Sequence, residues 1–281
     1  MSTLVVLGAG EIGGAAVRQA VSLAVARRVV LVDDATDVAR GKALDILQAA
    51  AIDGVAVEVT GASDIDAVVG ASAIVLADRH GTPPVEHGGE AALRLLAQVR
   101  LLNPRALVVC AGASQFDVVQ RLVHEHGANA ALVVGSAPEA LRYGLVALTS
   151  LAAHAAPRDV SLLLIGRPPR HGVAVWNDAA IAGRRVSDVL DPPALTRLES
   201  HLPHLWPPGP LTLGAAAVRV VLLALTNGPG TPCLFVVPPS PVGVRGNGVV
   251  LPASIRGDGV TPIWPTLSPR DRARLDTAIA G

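Results

Sequence analysis

The glycine-rich segment near the start of the chain constrains its fold more than any other feature. It reads GAGEIG from Gly8 to Gly13 and directly follows the short apolar run Leu4–Leu7. A helix-like stretch, Ile12–Ala26, continues from it. Glycines at this spacing permit a tight turn, a close approach of the backbone to a pyrophosphate and close packing of a helix on a strand. The segment therefore predicts a strand, a turn and a helix whose N-terminus faces a bound phosphate.

A pair of carboxylates strengthens this interpretation. Asp33 and Asp34 end the second apolar run, LVDDA, at the distance from the glycines where an acid hydrogen-bonds the adenosine ribose. Such an acid repels the 2′-phosphate of NADP, so the pattern favours NAD, with Asp33 as the first choice. The alternative is a turn that only joins strand to helix, with Asp33 as a helix cap. The expected contacts within the turn are Gly8, Gly10, Glu11, Ile12 and Gly13.

The first half of the chain alternates strand-like and helix-like segments. This alternation is typical of βαβ units and predicts an α/β fold, a doubly wound parallel sheet of Rossmann type. The strand candidates are Leu4–Leu7, Val29–Val32, Val55–Val59, Ala73–Leu76, Ala106–Cys110 and Ala131–Val134. The helix candidates are Ile12–Ala26, Ala39–Ala51, Gly88–Leu102 and Phe116–His126.

The pattern changes after about Tyr143, where Pro becomes frequent and strand candidates lie close together. We predict an NAD-binding domain over residues 1–137 and a shortened α+β substrate domain over residues 138–281. Pro-rich HLPHLWPPGP is expected to be a loop, because Pro disrupts regular structure. The predicted elements are the strands Val160–Ile165, Cys233–Val237 and Val249–Ser254, and the helices Leu211–Leu225 and Pro269–Ala280, the last capped by Ser268.

Composition argues against several classes of partner. Lys plus Arg equals Asp plus Glu at 23 each, so the chain lacks the positive field that binding to nucleic acid or an anionic membrane requires. The most apolar run, Leu211–Leu225, contains Arg219 and is shorter than a bilayer span. MSTLVVLGAG lacks a basic leader, and Cys110 and Cys233 show no CxxC spacing. We therefore expect a cytoplasmic protein with two core thiols and neither nucleic-acid nor membrane partners.

Taken together, three segments resemble the malate and lactate dehydrogenase family. They are GAGEIG, the acid after the second strand, and RGKALDILQAA from Arg40 to Ala51. The resemblance continues through VTGASDIDAVVGASAIVLA and reaches the closing strands and final helix. It implies an NAD cofactor, a small 2-oxo or 2-hydroxy acid as substrate, and a homodimer or homotetramer built through the second and third helices. It also adds Ala77 and Ser114 to the expected cofactor contacts.

The catalytic His of this family has no counterpart in the aligned segment. IGRPPRHGVAVWND resembles the family segment that carries it, with Gly166 and Trp176 fixing the alignment, and the His position becomes Pro168. Proline has no titratable group and cannot transfer the substrate proton. His171 lies three residues further on, and a shifted loop would be needed to carry it into the site. An exposed loop His is the alternative.

Other family positions have changed as well. PEALRY resembles the segment with the partner acid and the carboxylate-binding Arg, so Glu139 replaces Asp and Arg142 is retained. The alternative for Arg142 is a helix Arg that pairs with Glu139. In the family, two Arg residues lie on the loop that DRHGTPPVEHGGE resembles, and here Gly81 and a residue near Gly88 stand in their places. Arg79 and His87 lie nearby and are candidates to replace them. The alternative is that both are solvent-exposed loop residues. In CAGASQ, Ser114 stands near the position of an Asn.

These patterns predict an NAD(H)-binding protein impaired in ordinary 2-hydroxy acid oxidation. The competing hypothesis is an active oxidoreductase with a rearranged site, in which His171 or Glu139 carries the proton and Arg142 binds a carboxylate. A third hypothesis is a structural subunit that has also lost the cofactor. The HEH and HLPH segments lack partners at metal-ligand spacing, so no metal site is expected.

Overall fold

The computed structural model describes residues 2–238, 246–257 and 259–280. The strands, in chain order, are β1 (Thr3–Leu7), β2 (Arg28–Val32), β3 (Glu58–Ala62), β4 (Ala73–Leu76), β5 (Asp78–Arg79), β6 (Val85–Glu86), β7 (Leu107–Cys110), β8 (Val133–Gly135), β9 (Val160–Ser161), β10 (Leu164–Arg167), β11 (His171–Ala174), β12 (Ala180–Ile181), β13 (Arg184–Arg185), β14 (Cys233–Val236), β15 (Val249–Arg256) and β16 (Gly259–Pro262).

The α-helices are α1 (Glu11–Ser22), α2 (Thr36–Ile52), α3 (Gly89–Leu102), α4 (Phe116–His124), α5 (Ala137–Ala152), α6 (Pro192–His201), α7 (Pro210–Thr226) and α8 (Pro269–Ala280). Short 3-10 helices lie at Ile65–Val68, Ala130–Leu132, Pro157–Asp159, Trp176–Asp178, Val186–Asp188 and Leu202–Leu205.

A parallel sheet forms the first half of the molecule. Its strands run in the order β3-β2-β1-β4-β7-β8, and every adjacent pair is parallel. This is the doubly wound order, which reverses direction between β1 and β4 and opens a crevice at the carboxyl ends of those two strands. The predicted Rossmann-type sheet is confirmed.

Antiparallel strands extend this sheet beyond β8. β14 pairs with β8 at Phe235 and Gly135, β15 pairs with β14, and β10 and β16 pair with β15. β11 closes the edge beside β10. The strands of the second region thus continue the first sheet, across the boundary predicted at residue 137. The smaller α+β region expected after the parallel sheet is also present.

Two of the predicted strands differ most clearly from the observed ones. The strand predicted at Val55–Val59 is observed at Glu58–Ala62, because residues 55–57 follow the turn after α2 and pairing with β2 starts at Glu58. The strand predicted at Val160–Ile165 divides into β9 and β10, which belong to different sheets. Apolar runs located both strands, but pairing partners set their ends.

The Pro-rich segment expected to be a loop is partly ordered as helix. His201 ends α6, and Leu202–Leu205 forms a 3-10 helix before α7 begins at Pro210. Proline is compatible with the first turn of a helix, since its missing N–H has no partner there. The predicted cap of α8 is confirmed: the Asp271 N–H donates to Ser268 Oγ at 3.1 Å.

The core is packed from small aliphatic side chains. α7 is mostly buried and crosses α1 so closely that a Cβ on Gly214 would overlap Ala15 and Ala16. Both cysteines are free and buried, and burial raises the pKa of each thiol to about 12. They are core thiols, as expected.

Hydropathy identifies no single bilayer-spanning helix among the described residues. The helical segments Pro192–Leu205 and Pro210–Thr226 are long and apolar enough to cross a bilayer only when they are taken together, and the pair is bent by 96°.

Candidate functional site

A cavity of about 490 Å³ opens at the carboxyl ends of β1 and β2, beside the crevice between β1 and β4. Such crevices bind ligands in doubly wound folds because the strand order reverses there and leaves a gap between helices. Its lining residues come from the ends of β1 and β2, the turn after β3, the hairpin after β4 and helix α3: Leu7, Gly8, Val32, Asp33, Asp34, Ser63, Asp64, Ile65, Arg79, His87, Leu95 and Gln98. The structure thus brings the predicted residues Gly8, Asp33 and Asp34 together.

Asp33 organises the base of this cavity. Its Oδ2 accepts hydrogen bonds from the N–H groups of Ala9 at 2.7 Å and His80 at 3.0 Å, and its Oδ1 accepts from Ala35 at 2.9 Å. Burial alone would raise the pKa of Asp33, but these three donors outweigh burial and the pKa lies below its usual value. Asp33 is therefore an anchored carboxylate at the cavity wall.

The glycine-rich turn has the predicted shape. Gly8 adopts φ +107°, and its N–H donates to the carbonyl of Val32 at 2.7 Å. A Cβ on Gly13 would overlap the carbonyl of Gly8, so only glycine allows α1 to begin this close to β1. Ile12 is a core residue, 5% exposed. The backbone cradle expected from the sequence is present.

A side chain of the protein itself occupies this cradle. Asp78, which is 3% exposed, accepts from the Glu11 N–H at 2.8 Å through Oδ2 and from the Gly13 N–H at 3.0 Å through Oδ1. Its backbone carbonyl accepts from the Gly10 N–H at 2.8 Å. The N-terminus of α1 thus already has an anionic partner. Lys42 lies beside it, donating from Nζ to the carbonyl of Gly10 at 2.7 Å.

A second carboxylate occupies the turn before α4. Glu86 accepts from the Ala113 N–H at 3.0 Å and from the Ser114 N–H at 2.8 Å, and the Ser114 hydroxyl also donates to it. Ser114, predicted to contact a cofactor, is therefore held by Glu86. Asp78 and Glu86 begin and end the hairpin β5-β6, so one short segment fills two sets of backbone donors.

Gln115 fastens the hairpin to the sheet. Its buried amide donates to the carbonyls of Ala77 at 2.9 Å and His87 at 3.1 Å, and its Oε1 accepts from the Gly112 N–H at 2.8 Å. Ala77 is fully buried, and its N–H donates to Leu7. The predicted contact residue Ala77 serves in the structure as the attachment point of this segment.

Arg79 and His87, taken as candidates near the mobile loop, both line the cavity. Burial lowers the pKa of His87, and the positive charge of Arg79 lowers it further, against the opposing effect of Asp33, Asp34 and Asp78. The lowered pKa favours the neutral imidazole. Arg79 is exposed, as the alternative of a solvent-exposed loop residue describes, whereas His87 is half-buried in the cavity wall.

Glu139 and Arg142 form a closed ion pair away from the cavity. Arg142 donates from Nε and Nη2 to the two oxygens of Glu139, at 2.8 and 2.6 Å. Glu139 also accepts from Arg219 Nε at 3.3 Å and from the Cys233 N–H at 2.8 Å. Burial lowers the pKa of Arg142, but the bonds to Glu139 outweigh it and the pKa is raised.

In this structure Glu139 and Arg142 bind each other, and the predicted roles of Glu139 as proton carrier and of Arg142 as carboxylate anchor stay predictions. Glu139 is 0% exposed and Arg142 is 8% exposed, and neither lines the cavity. The sequence offered a helix Arg paired with Glu139 as the alternative, and this describes Arg142. The pair is buried, however, and does not lie on a helix surface.

His171 lies at the start of β11, apart from the cavity. Its neighbours in a small pocket of about 130 Å³ are Arg170, Arg274 and Thr277, the last two on α8. Pro168 lies in the turn between β10 and β11, and the adjoining Arg167 contacts Gln120 in the middle of α4. The structure does not bring His171 together with Glu139 or with the cavity. Its role as a replacement for the missing catalytic His stays a prediction.

Sequence reasoning missed Asp78, Glu86, Gln115 and Lys42. Nothing local marks Asp78, because its partners lie 65 and 67 residues earlier in the chain. One signal was available: acids begin and end the segment DRHGTPPVE, at the carboxyl end of a predicted central strand. Among the described residues, no group of three or more His, Cys, Asp or Glu could hold a metal ion.

The site fits one half of a dinucleotide. The cavity beside Asp33 and Asp34 has the volume and hydroxyl-binding groups that an adenosine needs. The pyrophosphate half does not fit, because Asp78 occupies its backbone donors and a Cβ on Gly10 would overlap the Asp78 carboxylate. The backbone cradle is present, but it is filled.

Comparison with known proteins identifies the fold. The chain superposes on the lactate dehydrogenase of Cryptosporidium parvum, complexed with lactic acid and nicotinamide adenine dinucleotide, with a TM-score of 0.86 and 20% identity, over 99% of this chain and 95% of that one. It superposes on the malate dehydrogenase of Plasmodium falciparum in complex with NADH with a TM-score of 0.87 and 16% identity, over 99% and 95%.

A curated relative matches a short segment of the sequence. The malate dehydrogenase of Pelagibacter ubique (strain HTCC1062) is 36% identical over 76 residues, which are 27% of this chain and 24% of that protein. The match therefore spans about a quarter of that relative. No protein-family model matches the sequence.

Proposed function

We propose that this chain, which has the lactate and malate dehydrogenase fold, binds NAD(H) through its adenosine half and does not perform ordinary hydride transfer to a 2-oxo acid. The observation that carries the proposal is the buried Glu139–Arg142 pair. In this pair the expected acid and the expected carboxylate anchor bind each other.

Reduction of a 2-oxo acid requires a proton donor beside the carbonyl and a cation for the carboxylate. Pro168 supplies no proton, and His171 lies on a different part of the sheet. Among the residues that the structure describes, His87 is the one imidazole that lines the cavity, and burial lowers its pKa, which disfavours the protonated form. These observations support the proposal that ordinary reduction of a 2-oxo acid is impaired.

The choice of NAD(H) rests on the retained half-site and on the neighbours. Asp33 and Asp34 line the cavity as the sequence predicts, and acids at this position disfavour the 2′-phosphate of NADP. Solved neighbours with the same fold were crystallised with nicotinamide adenine dinucleotide or NADH.

The test measures binding and turnover on the same preparation. Titration with NADH, followed by its fluorescence, is expected to give saturable binding. NADH with a panel of 2-oxo acids is expected to show no oxidation above the buffer rate. Turnover that disappears in His171→Ala would favour the competing enzyme hypothesis, and a lack of any NADH binding would favour a structural subunit.

We also propose that the chain forms a homodimer or homotetramer through α2 and the adjoining end of α7. Large apolar side chains are exposed there: Leu44 is 55%, Ile52 is 87% and Leu211 is 77% exposed. A cavity of about 470 Å³ between α1, α2 and α7 continues this surface. Light scattering should give a multiple of the 28.6 kDa chain mass; a monomer at micromolar concentration would contradict the proposal.

A further inference from the structure

The hairpin β5-β6 brings two carboxylates to the backbone donors that face the crevice. Asp78 accepts from Glu11 and Gly13 at the start of α1, and Glu86 accepts from Ala113 and Ser114 in the turn before α4. Free N–H groups at such helix starts are the usual partners of ligand phosphates and carboxylates. Here each set is already satisfied by an anion of the protein.

We propose that Asp78 is an internal competitor for the pyrophosphate, so that the resting protein admits the nucleoside half of a dinucleotide and a pyrophosphate binds only when the hairpin is displaced. The inference rests on the proposed function, since it concerns the same site. It specifies which part of the ligand the free protein recognises.

The contacts of Asp78 leave no second position for a phosphate. Both carboxylate oxygens are used, the side chain is 3% exposed, and its own carbonyl binds the Gly10 N–H. Displacing the Asp78 carboxylate leaves the N–H groups of Glu11 and Gly13 without an acceptor. A phosphate bound there must therefore replace the hydrogen bonds to Asp78 and cannot add to them. The net gain from the pyrophosphate is therefore small while Asp78 competes.

The charge of the site acts in the same direction. Three carboxylates, Asp33, Asp34 and Asp64, line the cavity against one guanidinium, that of Arg79. Asp78 adds a fourth negative charge beside them, and Lys42, bound to the Gly10 carbonyl, adds a second positive one, so the negative charges remain in excess. A neutral nucleoside meets no repulsion in this environment, whereas a ligand with two phosphates does.

The hairpin is held at several points, which makes its displacement a concerted event. The His80 N–H donates to Asp33, the His87 N–H donates to Ala77, and Gln115 donates to the carbonyl of His87. Glu86 fastens the other end. Lifting Asp78 from α1 therefore disturbs contacts along the whole segment rather than a single side chain.

Calorimetric titration of the full chain with adenosine and with ADP-ribose tests this proposal. For the wild type we expect similar dissociation constants for the two ligands. Asp78→Ala should bind ADP-ribose about ten- to a hundredfold more tightly, the equivalent of one charged hydrogen-bonded group, and adenosine within about twofold of wild type. Asp37→Ala, an exposed acid in the first turn of α2, is the matched control and should change neither value.

The outcomes separate the two proposals. If the wild type binds ADP-ribose far more tightly than adenosine, and Asp78→Ala does not change this, the proposal that Asp78 competes with the pyrophosphate is overturned. The proposed function would still stand. Absence of binding of either ligand in every variant would overturn both. If Asp78→Ala loses its circular dichroism signal, Asp78→Asn replaces it, because this variant keeps the side-chain shape without the charge. Asp78→Asn should also bind ADP-ribose more tightly than wild type, by a smaller factor. If it does not, the proposal that Asp78 competes with the pyrophosphate is overturned.

Discussion

At the scale of single residues, Glu139 illustrates how burial converts a predicted functional group into a structural one. Four donor groups from Arg142, Arg219 and Cys233 surround its carboxylate. The sequence predicted the pairing of Glu139 with Arg142 as an alternative, because their spacing places them one turn apart on a helix. It could not predict Arg219 or the Cys233 N–H, which lie 80 and 94 residues away.

Removing the charge of Glu139 should destabilise the fold strongly. In Glu139→Gln, the buried guanidinium of Arg142 loses its counter-ion, and we expect the free energy of unfolding to fall by about 3–5 kcal/mol in urea titrations. Glu90→Gln, which breaks a solvent-exposed pair with Arg121, is the control and should lose far less. Equal losses in the two variants would show that the Glu139 pair is not structural.

Asp33 should give the molecule an acid-sensitive component of stability. Its folded-state pKa lies below the usual value of 3.8, so its contribution is present above that pH and is lost as the pH falls. The difference in unfolding free energy between wild type and Asp33→Asn should be largest near neutral pH and shrink below pH 4. A difference independent of pH would contradict the three-donor arrangement.

At the scale of elements, the parallel sheet was accessible from the sequence and the hairpin was not. Buried strands such as β1 and β4 are continuous apolar runs, and the intervening helices fix their order. β5 and β6 have only two residues each and lie among Gly and Pro. Their pairing depends on side-chain bonds to distant turns, which local patterns do not encode.

The hairpin should depend on Gln115. Gln115→Ala removes bonds to Gly112, Ala77 and His87 from a fully buried position. We expect faster hydrogen exchange at the amides of Gly112 and His87, measured by mass spectrometry or NMR, while the amides of β2 keep their protection. Unchanged exchange at His87 would mean that other contacts alone hold the segment.

The hairpin should also make stability depend on pH near neutrality. The pKa of His87 is lowered below 6.5, so the unfolded chain takes up a proton that the folded chain does not when the pH falls below that value. Wild-type stability should therefore decrease between about pH 7 and pH 5 more steeply than that of His87→Gln. Parallel curves would place His87 outside the buried cavity wall.

At the scale of the whole molecule, the sheet, the crevice and the hairpin form one system. The strand order places the cavity at the ends of β1 and β2, and the hairpin follows β4 and covers the neighbouring turn. The resemblance in sequence correctly indicated the fold. The position of Asp78 in the glycine-rich turn could not be predicted from the sequence, because it depends on contact between the segment after β4 and the turn after β1.

The central claim is that Asp78 occupies the cradle in the free protein, and amide NMR tests it most directly. The Glu11 and Gly13 amide protons should exchange slowly with solvent in the wild type. In Asp78→Ala both should move upfield and exchange faster, while the Ala9 amide, bound to Asp33, keeps its position. Rapid exchange of Glu11 and Gly13 in the wild type, with no change in the variant, would contradict the claim.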